Sequence, residues 1–243
     1  NKIKKLKYLR ARMETNPMVE PEPTWYRDPI EEEYEDDLVF QILDWYSYDR
    51  EDDETDNRKD NKRYNIRIFG INEEGTTISV NITDFKPYFF VKIPTKWSRI
   101  GISLFKDYVK SQLDKNIDKK LYSKSFATRI VKRCSFRGFT NHTKFKFVKF
   151  IFKNGYVMRR CKYLFDQKHT ILGLCTNKKL EVYESNILPF LRFIHNRNIQ
   201  PAGWVFIKVD EYDQCFDDEK KTRCQLEFEA NWKSVCPVNR DQI

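Results

Sequence analysis

The chain has 243 residues, 40% hydrophobic and 33% charged, with a formal net charge of +9. That length suffices for one large domain or two modest ones, each with a core of its own. No apolar run approaches about 18 residues and no apolar block follows Asn1-Lys2-Ile3-Lys4-Lys5, which argues against a membrane-spanning helix and a secretory signal. Opening on Asn rather than Met, the sequence reads as a piece of a longer chain.

Residues 1–37 combine a basic arm, a spacer with Pro17, Pro21, Pro23 and Pro29, and an acidic run around Glu31, Glu32 and Glu33. This composition reads as a linker or an arm laid over a surface. Residues 38–48 read as a first strand. The acidic loop 49–60 follows, with two D-x-E matches at Asp49-Arg50-Glu51 and Asp52-Asp53-Glu54. Neither lies on an apolar strand that would fix two carboxylates around one metal ion, so neither is read as a metal site. Residues 64–71 and 76–84 form a hairpin around Asn72-Glu73-Glu74-Gly75, with Gly75 free to take positive φ. A strand at 88–93 enters after Pro87. Residues 98–121 read as a helix, with Ile102, Phe105, Val109 and Leu113 on its apolar side and Lys106, Lys110, Lys115, Lys119 and Lys120 on the other. A strand follows at 126–133.

From residue 144 the order is strand (144–152), helix (155–166), short strand (168–174), strand (179–183), helix (186–197) and strand (203–209). That is β-α-β-β-α-β, the ferredoxin-like order also used by RRM modules. In the second helix Ser185 or Asn186 is the expected cap, and Ile187, Leu188, Leu191 and Ile194 the expected buried face. The run Lys144-Phe145-Lys146-Phe147-Val148-Lys149-Phe150 interleaves cations with rings, which suits a sheet that stacks bases and holds phosphates. Its Phe147-Val148-Lys149-Phe150 echoes part of an RNA-binding signature that belongs on the third strand of such a module; in this order it falls on the first. The same rings can equally be buried sheet residues. The tail, 210–243, is a polar loop, a strand near 224–228 and an irregular connector.

Charge is strongly segregated. Residues 86–179 hold 24 Lys and Arg, four Asp and no Glu, a net of +20, so the remainder carries −11. Solvated faces mix signs, and self-repulsion gains a monomer nothing, so a polyanion-facing surface is expected. Six cysteines are scattered without a C-x-x-C pair, as in a reduced intracellular protein, and no metal site is expected. With three histidines, no Ser/Cys–His–Asp grouping and no Gly-rich phosphate loop, no catalytic residue is assigned.

The segments Val39-Phe40-Gln41, Arg67-Ile68-Phe69-Gly70-Ile71, Phe85-Lys86-Pro87-Tyr88-Phe89-Phe90-Val91, Tyr183-Glu184-Ser185-Asn186, Leu191-Arg192-Phe193, Gly203-Trp204-Val205, Cys224-Gln225-Leu226-Glu227 and Trp232-Lys233 follow one another along the chain. In that order they resemble delta-type family B DNA polymerases. The resemblance implies the N-terminal domain of such a polymerase, cut before the exonuclease domain, and the bias toward Lys, Asn and Ile points to a large DNA virus or a protist as its source. The resemblance implies an OB-like β part beside the RRM-like part, contact with template strand, and packing on the exonuclease and polymerase modules. It also implies a parent enzyme that uses Mg2+, whereas no Y-G-D-T-D-like block occurs here, so no cofactor is expected in this piece.

The expected fold is therefore α+β: an arm (1–37), a β-rich OB-like subdomain with one amphipathic helix (38–134), a ferredoxin/RRM-like subdomain (135–209) and a connector (210–243). The expected function is non-catalytic binding of single-stranded template DNA within a replicative polymerase. An RNA-binding regulator or a pure docking scaffold are the alternatives. Candidate phosphate contacts are Lys144, Lys146, Lys149, Arg159 and Arg160; candidate stacking residues are Phe145, Phe147 and Tyr156. The expected location is intracellular, in a nucleus or a viral replication site.

Overall fold

The computed structural model describes residues 30, 32–50, 62–115, 126–135, 138–216 and 219–238. The basic and Pro-rich part of the arm, most of the acidic loop, Glu51 and the second D-x-E match, and Lys119 and Lys120 lie outside the described residues.

Three strands open the fold: β1 (Leu38–Arg50), β2 (Arg63–Ile71) and β3 (Thr77–Thr83). They form an antiparallel meander, because each presents branched or aromatic residues to one core and is joined to the next within the sheet. The β2–β3 turn has the geometry its sequence predicts. Gly75 takes φ 77°, its N–H donates to the Asn72 carbonyl at 3.0 Å, and the Asn72 side chain accepts from Thr76 N at 2.8 Å.

The next elements are β4 (Tyr88–Ile93), α1 (Arg99–Lys115), β5 (Phe126–Cys134), β6 (Lys144–Phe152), α2 (Gly155–Leu164), the hairpin β7 (His169–Ile171) and β8 (Cys175–Lys178), and β9 (Val182–Tyr183). Then come α3 (Pro189–Arg197), β10 (Trp204–Ile207), β11 (Tyr212–Gln214), β12 (Leu226–Asn231) and β13 (Cys236–Pro237). The architecture is mixed α+β and rich in strands.

Two sheets divide these strands, apart from β7 and β8, which pair only with each other. The larger runs β11-β12-β3-β2-β1-β10-β13, with β12 parallel to β3. Its core holds Phe40, Ile42, Ile66, Val80, Phe228 and, from α3, Phe193. The smaller is β5-β6-β4-β9, antiparallel throughout. One face packs on α1 and α2 through Phe89, Val91, Val148, Phe150 and Phe152, which meet Phe105, Val109, Val157 and Cys161. The helix-face residues Ile102, Phe105, Val109 and Leu113 are all buried, as their spacing predicts.

The division corrects the subdomain reading. The six elements of 144–209 do not share a sheet, because β10 leaves them to pair with β1 (Leu38↔Ile207, Phe40↔Val205). Both edges of β6 are already occupied, by β4 and β5, while Val205 and Ile207 complete the core under the large sheet. A boundary at 134/135 would cut the β5–β6 hairpin, whose ladder runs from Phe126↔Phe152 to Cys134↔Lys144. The order β-α-β-β-α-β occurs instead one step earlier, as β4-α1-β5-β6-α2-β9, with its strands in the spatial order second, third, first, fourth.

The α3 helix also differs from its reading. It starts at Pro189, with Leu188 as cap residue and no side-chain capping bond. Pro at the first helical position has its φ preset and lacks an N–H that would be orphaned there anyway. Counting the apolar spacing from Ile187 therefore places only Ile194 correctly. Ile187, Leu188 and Leu191 are exposed, and the buried residues are Arg192, Phe193 and Ile194.

The two sheets are joined at α2. Asn154 caps this helix by accepting from Val157 N at 2.9 Å. The Asp49 carboxylate, at the end of β1, accepts from Gly155 N and Tyr156 N at 2.8 and 3.0 Å. A carboxylate at a helix N-terminus satisfies orphan donors and meets the positive end of the helix dipole. The Asp of one D-x-E match is thus a helix cap.

Candidate nucleic-acid interface

Strand alternation gives the small sheet a second face, turned away from α1 and α2. Residues directly opposite in an antiparallel ladder point to the same side, so the registers Phe90↔Lys149, Lys92↔Phe147, Arg129↔Lys149, Arg133↔Phe145 and Phe90↔Tyr183 define it. It carries a row of rings, each edge-on to the next. Tyr88 meets Phe90 at 5.6 Å, Phe90 meets Phe147 at 6.4 Å, and Phe147 meets Tyr183 at 5.3 Å.

Cations cover this row. Lys149 Nζ stands 3.5 Å from the Tyr88 ring centroid, and the Arg192 guanidinium, from α3, is 4.4 Å from the same ring. Lys92 Nζ lies 4.2 Å over Phe145. Such contacts are favourable because the ring face is electron-rich. Two acids answer these charges: Glu184 pairs with Arg192, and Glu181 pairs with Lys92 at 3.5 Å. Among the described residues Arg129 and Arg133 make no ion pair. Burial, then repulsion from Arg192, Arg129 and Arg133, pushes the pKa of Lys149 down, with Glu184 opposing.

The face looks into a cleft. A hydrogen bond from Tyr88 Oη to Asn196 Oδ1, 3.3 Å, divides it into two grooves. One, of about 610 Å³, is lined by Phe90, Arg133, Lys144, Tyr183 and Arg192; the other, of about 540 Å³, by Lys86, Arg129, Lys149, Trp232 and Lys233. Each thus has an apolar floor and a rim in which cations outnumber acids, Glu184 being the acid of the first groove and Asp84 that of the second.

The structure brings together only part of the sequence-predicted set. Phe145, Phe147 and Lys149 share this face. Phe147 is 3% exposed, held under Phe90 and Tyr183, so it braces the row rather than presenting a ring. Lys144 and Lys146 alternate to the opposite side of β6, where Lys146 Nζ donates to the Thr95 carbonyl at 3.3 Å; Lys144 still reaches the rim of the first groove from the strand end. Arg159 and Arg160 are exposed on α2, and Tyr156 is half-buried there with its hydroxyl accepting from Arg160 Nε at 3.3 Å. These three belong to the helix layer on the far side of the sheet.

The residues that sequence reasoning missed are Tyr88, Phe90, Lys92, Arg129, Arg133, Tyr183 and Arg192. The signal was present in part: Phe90-Val91-Lys92 and the spacing of Arg129, Val131 and Arg133 both have the two-residue period of a strand face. No group of three His, Cys, Asp or Glu side chains that could hold a metal ion occurs among the described residues.

Comparison with known proteins agrees with the family that the resemblance names, but not with the expected cut before the exonuclease domain. A family model, DNA polymerase family B, exonuclease domain, matches residues 180–243, the stretch running from β9 through the connector. The DNA polymerase of Pyramimonas orientalis virus is 31% identical over 206 residues, covering 84% of this chain and 16% of that protein. The DNA polymerase of Acanthamoeba polyphaga mimivirus is 31% identical over 210 residues, 83% of this chain and 12% of that one. The DNA polymerase delta catalytic subunit of Glycine max is 28% identical over 172 residues, 70% of this chain and 15% of that one. The chain thus spans less than a fifth of each of these relatives. Among solved structures, the family B DNA polymerase from the hyperthermophilic archaeon Pyrobaculum calidifontis matches with a TM-score of 0.51 at 19% identity, covering 83% of this chain and 21% of that one. That likeness is one of fold. Together the matches support a fragment of a delta-like family B DNA polymerase, as the resemblance implied.

Proposed function

We propose, for a chain similar over most of its length to delta-like family B DNA polymerases, that it binds single-stranded template DNA in the cleft along β4, β5 and β6 and has no catalytic role of its own. One observation carries the reading: Lys149, Arg129 and Arg133 stand together along a row of rings and make no ion pair among the described residues, while Arg192 beside them is already paired with Glu184. A phosphate backbone supplies the missing anions, and its bases have faces to stack on the rings. Arg129, Lys149 and Arg133 are the phosphate contacts, and Tyr88 and Phe145 the rings nearest to use.

In this reading the polymerase and exonuclease chemistry, with its Mg2+, belongs to modules beyond this chain. The exposed Ile187, Leu188 and Leu191 offer those modules a docking edge within the segment that matches the exonuclease-domain model. The meander β1–β2–β3 is the OB-like part, and β4-α1-β5-β6-α2-β9 the RRM-like part.

Fluorescence anisotropy of a labelled single-stranded DNA of about 16 nucleotides, across a salt series, tests the reading. Log affinity should fall with log salt at about −0.7 per phosphate neutralised, giving a slope of about −2 to −4. No binding at low salt would overturn it.

RNA is the second reading, and β6 favours it. In the order β4-α1-β5-β6-α2-β9 it is the third strand, so Phe147-Val148-Lys149-Phe150 lies where the RNA-binding signature is found. Competition between RNA and DNA of one sequence separates the two, since this alternative requires RNA to win.

A further inference from the structure

The β5–β6 hairpin carries its own contact point. Phe139, near its tip, is 95% exposed. A single exposed ring is ordinary on a protein surface, but the surroundings of this one are not.

First, the tip is a built turn. Asn141 and His142 both have positive φ, 44° and 58°, and Thr143 N donates to the Thr140 carbonyl at 2.9 Å. Two left-handed central residues closed by that bond are a type I′ turn, whose twist matches the flanking strands. The Cys134 thiol donates to the His142 carbonyl at 3.5 Å, and Gly138 at φ 71° sets the chain direction just before the ring. Phe139 is therefore held outward by backbone geometry. Second, the arms beneath it are cationic: Lys132, Arg133, Lys144 and Lys146 lie at the hairpin end of the strands, and no acid occurs between 119 and 165. Third, Arg133, Cys134 and Lys144 at the base of the hairpin line the first groove, so whatever lies in that groove leaves it toward the tip.

We infer that Phe139 is a stacking contact for a single-stranded nucleic acid, receiving a base of the strand as it leaves the groove between Arg133 and Tyr183. The inference rests on the cleft reading above and names its outlet. A polyanion fits the site better than an apolar protein pocket, because the strand ends that lead to the ring carry four cations and no acid. A flexible single strand can turn an unpaired base outward onto the ring, which duplex stacking prevents.

The test compares the unaltered chain with Phe139→Ala, Phe139→Leu and Phe139→Trp, using a single-stranded DNA that carries 2-aminopurine at successive positions. The side chain touches no core, so all three variants fold. Phe139→Ala and Phe139→Leu should each weaken binding by about tenfold at fixed salt. The salt slope should not change, because no phosphate contact is lost. Phe139→Trp should restore affinity, and one 2-aminopurine position should lose its quenching in the Ala and Leu variants but not in the Trp variant. If the unaltered chain binds, and loses binding on Arg129→Glu with Lys149→Glu, yet Phe139→Ala binds equally well, the cleft stands and this inference falls. Leu matching Phe would also overturn it, since bulk rather than a ring would then suffice. No binding by the unaltered chain overturns both.

Discussion

The two sheets place similar residues in opposite electrostatic circumstances. On the large sheet, Arg67 in β2 is 5% exposed and pairs with Glu227 in β12, 2% exposed, while also donating to Ser79 Oγ at 3.0 Å. The other Glu227 oxygen accepts from Lys221 N, Thr222 N and Thr222 Oγ1. Beside them Arg50 meets Glu229 at 3.2 Å, and Asn81 bridges Glu229 and Tyr48. Arg67, Glu227, Arg50 and Glu229 thus all have their partners inside the fold. On the small sheet, Arg129, Arg133 and Lys149 gather without acids of their own. The difference teaches that paired cations hold a fold together, whereas unpaired ones keep a surface open for a partner.

The comparison is broken most severely at Arg67. Burial alone would raise the pKa of Glu227, but the bonds from Arg67 and Thr222 outweigh it and hold the carboxyl below its ordinary value. Arg67→Met leaves that carboxylate buried without its cation and should cost about 3 kcal/mol, read from the urea midpoint. Arg67→Met with Glu227→Leu should cost much less, because no orphan charge remains. The pH sign follows from the depressed carboxyl. Its stabilisation is complete above about 4.5, the unfolded value, and is lost as pH falls through the lower folded value. In Arg67→Met that acid loss should shrink or reverse, because protonation relieves a buried carboxylate that has lost its cation.

The same kind of change on the small sheet should have the opposite outcome. Arg129→Glu with Lys149→Glu relieves repulsion, so the urea midpoint should hold or rise. Single-strand affinity should fall by at least about tenfold near 0.1 M salt, and the salt slope should shrink by about 1.4, two phosphates' worth. A stability loss comparable to that of Arg67→Met would show that these cations are structural, and would remove the contrast. A smaller effect is expected at the joint between the sheets. Asp49→Ala removes the carboxylate from two N–H groups of α2 and should cost about 1 kcal/mol, with no change in salt slope.

Local patterns were legible in the sequence wherever a segment's own period decides its fate. The apolar face of α1, the Gly75 turn and the strands at 88–93 and 144–152 all follow from residues within about a dozen positions of each other. Partnering was not. The pairing of β10 with β1 joins Leu38 to Ile207, and nothing local in Trp204–Ile207 distinguishes that edge from the edge of β6. With β10 assigned to the wrong sheet, the β-α-β-β-α-β unit was read one step late, and the strand bearing Phe-Val-x-Phe seemed to be the first of its module. The candidate site suffered from a different cause. Lys144, Lys146 and Lys149 were grouped by proximity along the chain, but a two-residue period sends Lys149 to one face and the other two to the opposite one. Tyr88 and Arg192 join Lys149 only through tertiary packing, which a single strand's pattern does not record.

The smallest expected effect lies at the edge of the small sheet's helix layer, where His169 on β7 meets α1. Its Nδ1 is 3.0 Å from Tyr108 Oη, its ring packs edge-on to Phe165, and it is 4% exposed. Burial pushes its pKa below the ordinary 6.5, with the Leu164 carbonyl opposing. In the unfolded chain the imidazole gains a proton as pH falls through about 6.5, while in the folded chain it stays neutral until lower pH. Stability therefore declines across that window and levels off below the folded value. His169→Gln keeps a polar partner for Tyr108 but cannot titrate, so its Tm should fall less between pH 7 and pH 5 than that of the unaltered chain. Parallel Tm curves would show that His169 is protonated in place, which would make this corner of the helix layer as open to water as the cleft on the other face.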